Sequence, residues 1–189
     1  MKWLATISII LIYLVSIQAQ EKEKNPSPDK PVKLLEEILY EECGSQVTES
    51  QTYNHRWGKV TKIIDGNTIT VEVNKVDGIE INNSPLNVDL VGIDTNTNEE
   101  EAKKFLTENL LNETVTVIGN IRRDNFFAIV QGKEKTSGKI IEVNRYLLEN
   151  GIVKFKPFSS GYLVPHRTPC VYQKVEEKAR KEKLGLWAR

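Results

Sequence analysis

Alternating apolar and polar positions mark the chain from residue 57 to residue 93. Three segments alternate in this way and are rich in β-branched residues: "WGKVTKII", "NTITVEVNK" and "PLNVDLVGI". Asp65-Gly66 separates the first two segments, and the polar stretch "DGIEINNS" separates the second from the third. Because polar, glycine-containing separators are typical of turns, the pattern predicts three β-strands joined by these two connections.

The apolar spacing then changes to that of a helix. In "TNTNEEEAKKFLTENLL", Thr97-Asn98-Glu99-Glu100 fits a capping box, and one side carries Ala102, Phe105, Leu106 and Leu110. Two strand segments follow, "ETVTVIGN" and "NFFAIVQG", connected by residues 121–124. "EVNRYLLENG" predicts a second helix, in which Gly151 takes a left-handed conformation at the C-terminal end.

Helices are also predicted near both ends of the chain. "VKLLEEILYEE" has amphipathic spacing, and residues 43–55 behind it show no period and are interpreted as a connector. "TPCVYQKVEEKARKEKLGLW" predicts the last helix, with Thr168 as N-cap and Pro169 as the first helical residue. Its i, i+4 pairs, which are typical of an exposed helix, are Glu176–Arg180 and Glu177–Lys181.

The order β-β-β-α-β-β-α-α predicts an α+β, mainly β fold. Three strands, a helix and two more strands form the plan of a five-stranded OB-fold barrel, here with additional helices. Such barrels commonly present oligonucleotides or oligosaccharides on one face, but the fold alone does not establish a function.

The first residues predict an exported protein. "MKWLATISIILIYLVSIQAQ" has one lysine, then a mainly apolar run, then small and polar residues. The run is short for a membrane-spanning helix, so residues 1–19 are predicted to be a cleaved signal peptide. Residues 20–55 are then a linker with a short helix, residues 56–189 the folded domain, and the location extracellular. An uncleaved N-terminal anchor is the alternative.

The composition gives no bulk charge that would attract nucleic acid. The chain has 189 residues, and its 26 basic residues balance 26 acidic ones, so that the formal net charge is zero. Proteins that hold nucleic acid by counterion release usually have a basic excess or stripe. Nucleic-acid binding would therefore depend on a local patch.

Two features of the sequence depend on export. Cys43 and Cys170 are an even pair, which in an oxidising compartment predicts a disulfide, with two unpaired thiols as the alternative. Asn82-Asn83-Ser84 and Asn112-Glu113-Thr114 are sequons, so Asn82 and Asn112 are candidate glycosylation sites.

Four segments in order resemble the staphylococcal-nuclease-like (thermonuclease) family. They are "KIIDGNTITV", "VDLVGIDTNT", "EVNRYLLENGIVKF" and "EEKARKEKLGLW", and the resemblance covers residues 57–188. It implies an OB-fold barrel and a calcium-dependent hydrolysis of DNA and RNA phosphodiesters. In the family, two Asp help to hold the ion, a Glu assists the attacking water, and two Arg clamp the phosphate.

Most of these functional positions differ here. The resemblance places Asn67 at a ligand Asp, Asp89 at the first Arg, and Thr97 at the catalytic Glu, while Asp94 keeps its carboxylate. Calcium prefers anionic oxygen ligands, and the transition state of phosphoryl transfer needs fixed positive charge. The family chemistry is therefore expected to be lost, with Asp94 and Asn67 as weak candidate metal ligands.

Neighbouring residues offer two substitutes for the missing groups. Glu99, Glu100 or Glu101 could take the place of the base, although acids in a first helical turn also complement the helix dipole. Arg122 or Arg123 could replace the second clamp, although charges in a hairpin turn are usually solvated. The structural interpretation is favoured in both cases.

A basic and aromatic segment, "KFKPFSSGY", is a candidate binding surface. Lys154, Lys156, Phe158 and Tyr162 could stack on single-stranded nucleic acid, and a packed loop between helices is the alternative.

These observations predict a secreted, catalytically inactive domain that binds a protein or nucleic-acid ligand. No cofactor is expected, and the oligomeric state is open. One alternative is a weak calcium-dependent endonuclease that uses Asp94, with calcium as its cofactor. The other is a membrane-tethered interaction domain.

Overall fold

The computed structural model describes residues 35–44, 54–122, 125–158 and 164–188, without the side chains of residues 38, 40, 121, 122 and 125. The predicted signal peptide, most of the predicted linker and Tyr162 lie outside the described residues, so the predictions made for them stay predictions. No helix in the described ranges is long and apolar enough to cross a membrane.

The described residues form eight strands, five of which make up the barrel. The strands are β1 (Asn54–Ile63), β2 (Thr68–Val76), β3 (Ile79–Leu90), β4 (Ile93–Asp94), β5 (Thr114–Arg122), β6 (Asn125–Lys133), β7 (Ile140–Glu142) and β8 (Lys154–Phe155). The main sheet has the order β3-β2-β1-β5-β6-β7, and β3 also pairs with β6. This extra pairing closes a ring of β1, β2, β3, β6 and β5. The predicted α+β class and five-stranded OB-fold barrel are confirmed.

In the described part of the chain, four α-helices and a short 3-10 helix accompany the barrel. They are α1 (Leu35–Cys43), α2 (Glu99–Leu110), α3 (Val143–Glu149), α4 (Thr168–Lys181) and the 3-10 helix Gly185–Trp187. Apolar side chains that fill the core come from strands and helices alike, for example Val60, Ile69, Leu106, Leu147 and Val175, each with none of its surface exposed.

The prediction that "DGIEINNS" is a connector is wrong, because most of this segment belongs to β3. The turn consists of Asp77 and Gly78 alone, with φ angles of 46° and 86°, which match the twist of a two-residue hairpin. Residues 79–85 are exposed throughout. With neither face of this part buried, no apolar alternation is needed, and the sequence pattern could not reveal the strand.

The predicted helix starts also need correction. The capping box does not form: helix α2 follows Asn98, which makes no side-chain cap hydrogen bond and instead donates from Nδ2 to the Ile152 carbonyl at 3.0 Å. Helix α4 begins at Thr168 itself, which is buried, and Arg167 is its N-cap. Tertiary contacts thus take precedence over local capping at both positions. Gly151 has the predicted left-handed φ of 64°.

Helix α4 is less exposed than its charge pattern suggests. Glu176 does pair with Arg180, at 3.0 Å, but it is only 6 % exposed and also accepts a hydrogen bond from the Phe155 amide at 2.9 Å. Glu177 contacts Lys174 at 3.6 Å rather than the predicted Lys181. Glu176 therefore links α4 to β8 and is part of the structural core.

Helix α1 is attached to α4 by the predicted disulfide, which is confirmed. The Cys43 and Cys170 Cα atoms are 5.6 Å apart, and the bond spans 127 positions of sequence. Leu39 on α1 is fully buried, and Glu42 forms an ion pair with Lys174 of α4. The disulfide and the Glu42–Lys174 ion pair therefore link the same two helices.

We expect loss of this disulfide to destabilise the fold strongly. In the chain-entropy model a loop of this length contributes about 5 kcal/mol. The double variant Cys43→Ser, Cys170→Ser should lose several kcal/mol in the free energy of unfolding, measured with urea. Reductant should lower the stability of the wild type towards that of the variant and leave the variant unchanged. Equal stability of the two proteins would contradict this account.

Glu142, the last residue of β7, has a carboxyl group that is desolvated by burial. Burial raises its pKa and outweighs the nearby Tyr172 hydroxyl and the positive charges of Arg145 and Arg167, which lower it. Tyr172 is fully buried, and burial raises its pKa as well. A raised carboxyl pKa means that the folded state binds the proton more tightly than the unfolded state. The free energy of unfolding therefore falls as pH rises from the ordinary pKa of a glutamate to the raised pKa of Glu142.

We expect Glu142→Gln to remove this pH dependence. The variant should be more stable than the wild type at pH 7, and the difference should shrink as pH falls from the raised pKa of Glu142 towards the ordinary pKa of a glutamate. Urea unfolding at several pH values measures it, with Glu108→Gln at an exposed position of α2 as a control for the loss of one carboxylate. Parallel stability profiles for Glu142→Gln and the wild type would contradict the desolvation.

Candidate functional site

A cleft of about 380 Å³ lies where β2 begins, β3 ends and the chain continues past β8. It is lined by Asn67, Thr68, Asp89, Leu90, Val91, Gly92, Ile93, Phe127, Lys156, Pro157 and Phe158. Of the predicted site residues, Asn67, Asp89, Lys156 and Phe158 therefore come together here, although they lie far apart in the sequence.

A turn at Asp65 positions the first wall. The Asp65 Oδ1 atom accepts hydrogen bonds from the amides of Asn67 at 2.9 Å and Thr68 at 2.8 Å. The Leu90 amide donates to the Asn67 carbonyl at 2.8 Å. This explains the segment "IDGNT" physically: the aspartate folds the turn, and the following residues are held at the cleft.

Hydrogen-bond acceptors dominate this wall. Thr68 and Asp89 are directly opposite each other on β2 and β3, and the Thr68 hydroxyl lies 3.1 Å from Asp89 Oδ1 and 3.5 Å from Asn67 Oδ1. One hydroxyl has one proton to donate, so it satisfies one of these oxygens at a time. Among the described side chains no cation forms an ion pair with Asp89.

The second wall is formed by the chain after β8. The Lys156 amide donates to the Gly92 carbonyl at 3.0 Å, and the Lys156 side chain is exposed. The Phe158 ring contacts the rings of Phe155 and Tyr172, with centroid distances of 6.4 and 6.2 Å. Phe158 is thereby held against the cleft by aromatic packing.

Gly92 is required between the two walls. Its φ is 78°, and a Cβ atom there would lie 2.6 Å from the Phe158 ring and 2.7 Å from the Tyr172 ring. A larger residue would be strained in the backbone and would displace the aromatic side chains.

Asn144 holds the backbone in place at Val91, which lines the cleft. Its Oδ1 accepts from the Val130 amide, and its Nδ2 donates to the carbonyls of Val91 and Ala128, each at 3.0 Å. Asn144 is fully buried on the apolar side of α3. Our sequence reasoning did not single it out as a positioning residue, although a lone amide between Val143 and Leu147 was the available signal.

Two predicted positions lie outside the lining of this cleft. Asp94 follows Ile93 on β4, and its Oδ1 accepts from the Asn96 amide at 3.0 Å, as in a tight turn. Thr97 lines a separate cleft of about 360 Å³ together with Asn98 and Glu101. The family position of the base is thus held by a hydroxyl residue outside the first cleft.

The other predicted residues have separate surroundings. The Lys154 ammonium lies 5.7 Å from the centre of the Trp187 ring, away from the cleft lining. Asn82 and Asn112 are both exposed, and their glycosylation stays a prediction. Arg123 and the Arg122 side chain are outside the described residues.

The donor set does not fit a calcium site. Within the described part of the chain, no three His, Cys, Asp or Glu side chains come together as metal ligands. The predicted ligands are one carboxylate, Asp94, and one neutral amide, Asn67, whereas calcium takes six to eight oxygens and favours anionic ones.

The closed barrel, the order of its elements and the cleft at the end of β3 define a nuclease-type OB-fold domain. The chain belongs to the staphylococcal nuclease homologue family, whose sequence profile matches residues 11–189. The uncharacterized protein MJ1439 of Methanocaldococcus jannaschii is 28 % identical, over 72 % of this chain and 73 % of that protein. The resemblance inferred from the motifs is confirmed at the level of family and fold.

We expect Asn144→Ala to destabilise the protein by at least about 2 kcal/mol, because it leaves buried backbone groups without partners. Urea unfolding measures the change. The matched control is Asn150→Ala, just past the end of α3, where an exposed side chain donates one hydrogen bond to the Tyr146 carbonyl. Equal effects of the two substitutions would contradict the assigned role of Asn144.

Proposed function

We propose that this protein is a catalytically inactive member of the family that binds a ligand in the cleft instead of cleaving phosphodiesters. The observation that carries the proposal is Asp89: at the position where the family resemblance implies a phosphate-clamping arginine, the cleft has a carboxylate held by Thr68.

The electrostatics of the cleft support loss of the reaction. Removal of one preorganised charge-stabilising group commonly costs about 2.7–4 kcal/mol, or 100- to 1,000-fold in rate. Replacement of arginine by aspartate goes further, because it places a negative charge where negative charge develops. Asp89 is half-buried, so that solvent screens it less than a surface charge.

The remaining chemistry is also weakened. Asn67 is neutral and Asp94 caps a turn, so neither the number nor the charge of ligands suits calcium. Thr97 has a hydroxyl that does not act as a base near neutral pH. The individual losses are not additive, yet all of them act in the same direction.

We further propose that the domain acts outside the cell, after removal of residues 1–19. The Cys43–Cys170 disulfide is compatible with an oxidising compartment. A retained N-terminal anchor would instead tether the same domain to a membrane, and the mature N-terminus determined by mass spectrometry distinguishes the two forms.

We expect the purified protein, with millimolar calcium, to leave plasmid and single-stranded DNA intact. The matched control is Asp94→Ala, which removes the one retained carboxylate of the family site, and the two proteins should give the same background. Cleavage by the wild type that disappears in Asp94→Ala would overturn the proposal and support the weak nuclease. A calcium titration that shows saturable binding lost in Asp94→Ala would count in the same direction.

A further inference from the structure

We propose, on the basis of the proposed binding function, that the cleft takes the guanidinium group of an arginine side chain presented by a partner peptide. The charge of the cleft, its aromatic surface and its volume each favour a planar cation. None of these three arguments depends on the phosphodiester hydrolysis of the family.

The polar wall needs a donor-rich ligand. Asn67 Oδ1, the Thr68 hydroxyl and Asp89 Oδ1 lie together in one wall, and the Thr68 hydroxyl has one proton for the two oxygens. A phosphate would bring more acceptors and more negative charge to this wall. A guanidinium group brings five N–H donors, no acceptor and a permanent positive charge, in a plane that suits a carboxylate.

The apolar wall suits a flat cation. The half-buried rings of Phe127 and Phe158 line the cleft. Guanidinium groups stack on aromatic faces, and this chain uses the same contact internally: Arg56 lies 4.3 Å from the centre of the Phe126 ring, and Arg180 lies 4.2 Å from that of Trp187.

The volume of the cleft selects a small group. About 380 Å³ is near the lower end for ligand pockets, and part of its lining is apolar. One arginine side chain fits this space, whereas an oligonucleotide strand would extend beyond it along an uncompensated carboxylate.

Lys156 would repel a bound cation, whereas Asp89 would attract it. The relative strength of these two charges decides whether the cleft prefers a cation or an anion. The Lys156 side chain is exposed, so solvent screens its charge, and interactions between exposed charges are weak. Asp89 is half-buried and held by Thr68, so its field acts on the cleft more strongly. The net preference is therefore for a positive group.

The test uses two matched probes on the intact secreted protein. Acetyl-arginine-methylamide carries the cation, and acetyl-citrulline-methylamide is its neutral isostere. Each is titrated while NMR follows the backbone amides of Asn67, Thr68 and Gly92. We expect saturable binding of the arginine probe and at least about tenfold weaker binding of the citrulline probe, since loss of an ionic hydrogen bond costs about 1.5–3 kcal/mol.

Two charge variants on opposite walls give opposite outcomes. Asp89→Asn should weaken the arginine probe at least tenfold, and Lys156→Gln should strengthen it. For the dinucleotide TpT, a cleft that serves phosphate predicts the reverse: stronger binding by Asp89→Asn and weaker binding by Lys156→Gln. Urea unfolding verifies that both variants are folded.

Three results would overturn the inference: equal binding of the arginine and citrulline probes, no loss of the arginine probe in Asp89→Asn, or preferred binding of TpT by the wild type. The DNA cleavage assay is independent of these titrations. Absence of cleavage together with failure to bind the arginine probe would refute the arginine ligand but not the proposal that the domain is catalytically inactive. Cleavage that depends on Asp94 would refute both proposals.

Discussion

Closure of the barrel by a short parallel pairing of β3 with β6 is the constraint on which the rest of the structure depends. Val88, Asp89 and Leu90 pair with Phe126, Phe127 and Ala128, and this contact turns an open sheet into a ring. The same register places Asp89 beside Phe127, so that carboxylate and aromatic ring line one cleft. The closure that completes the core therefore also brings Asp89 and Phe127 together in the cleft.

Asn144 makes this closure specific. Its Nδ2 donates to the carbonyl of Val91, just beyond the paired residues, and to that of Ala128, the last paired residue of β6, and its oxygen accepts from the Val130 amide. The Val91 amide donates to Ala128 as well, at 3.0 Å. Buried backbone groups need partners, and the single side chain from α3 provides three at the end of β3, where the ladder stops.

Fold and chemistry are separable in this molecule. The core is formed by apolar residues such as Val88, Leu90 and Ala128, which are nearly or fully buried. Asp89 lies between two of them on the opposite face of β3, half-buried and hydrogen-bonded to Thr68, so that its charge imposes little strain on folding. A substitution that changes the charge at this position would leave the buried core unchanged, so family membership alone does not assign the reaction.

The sequence by itself determined those elements in which one face is buried. Alternation specified β1, β2 and the end of β3; helical spacing specified α2; the glycine at 151 specified a left-handed turn; and two cysteines specified their own bond. The strand and helix signals are local in the sequence. The cysteine signal is not local, but two cysteines allow one intramolecular pairing. The tertiary structure decided the exposed half of β3, where no buried face imposes a pattern, and the helix starts at Asn98 and Arg167, where tertiary contacts replaced the predicted caps. It also decided that Asp89, Lys156 and Phe158 line one cleft, because the pairing of β4 with β8 joins segments about sixty positions apart and produces no local periodicity in the sequence.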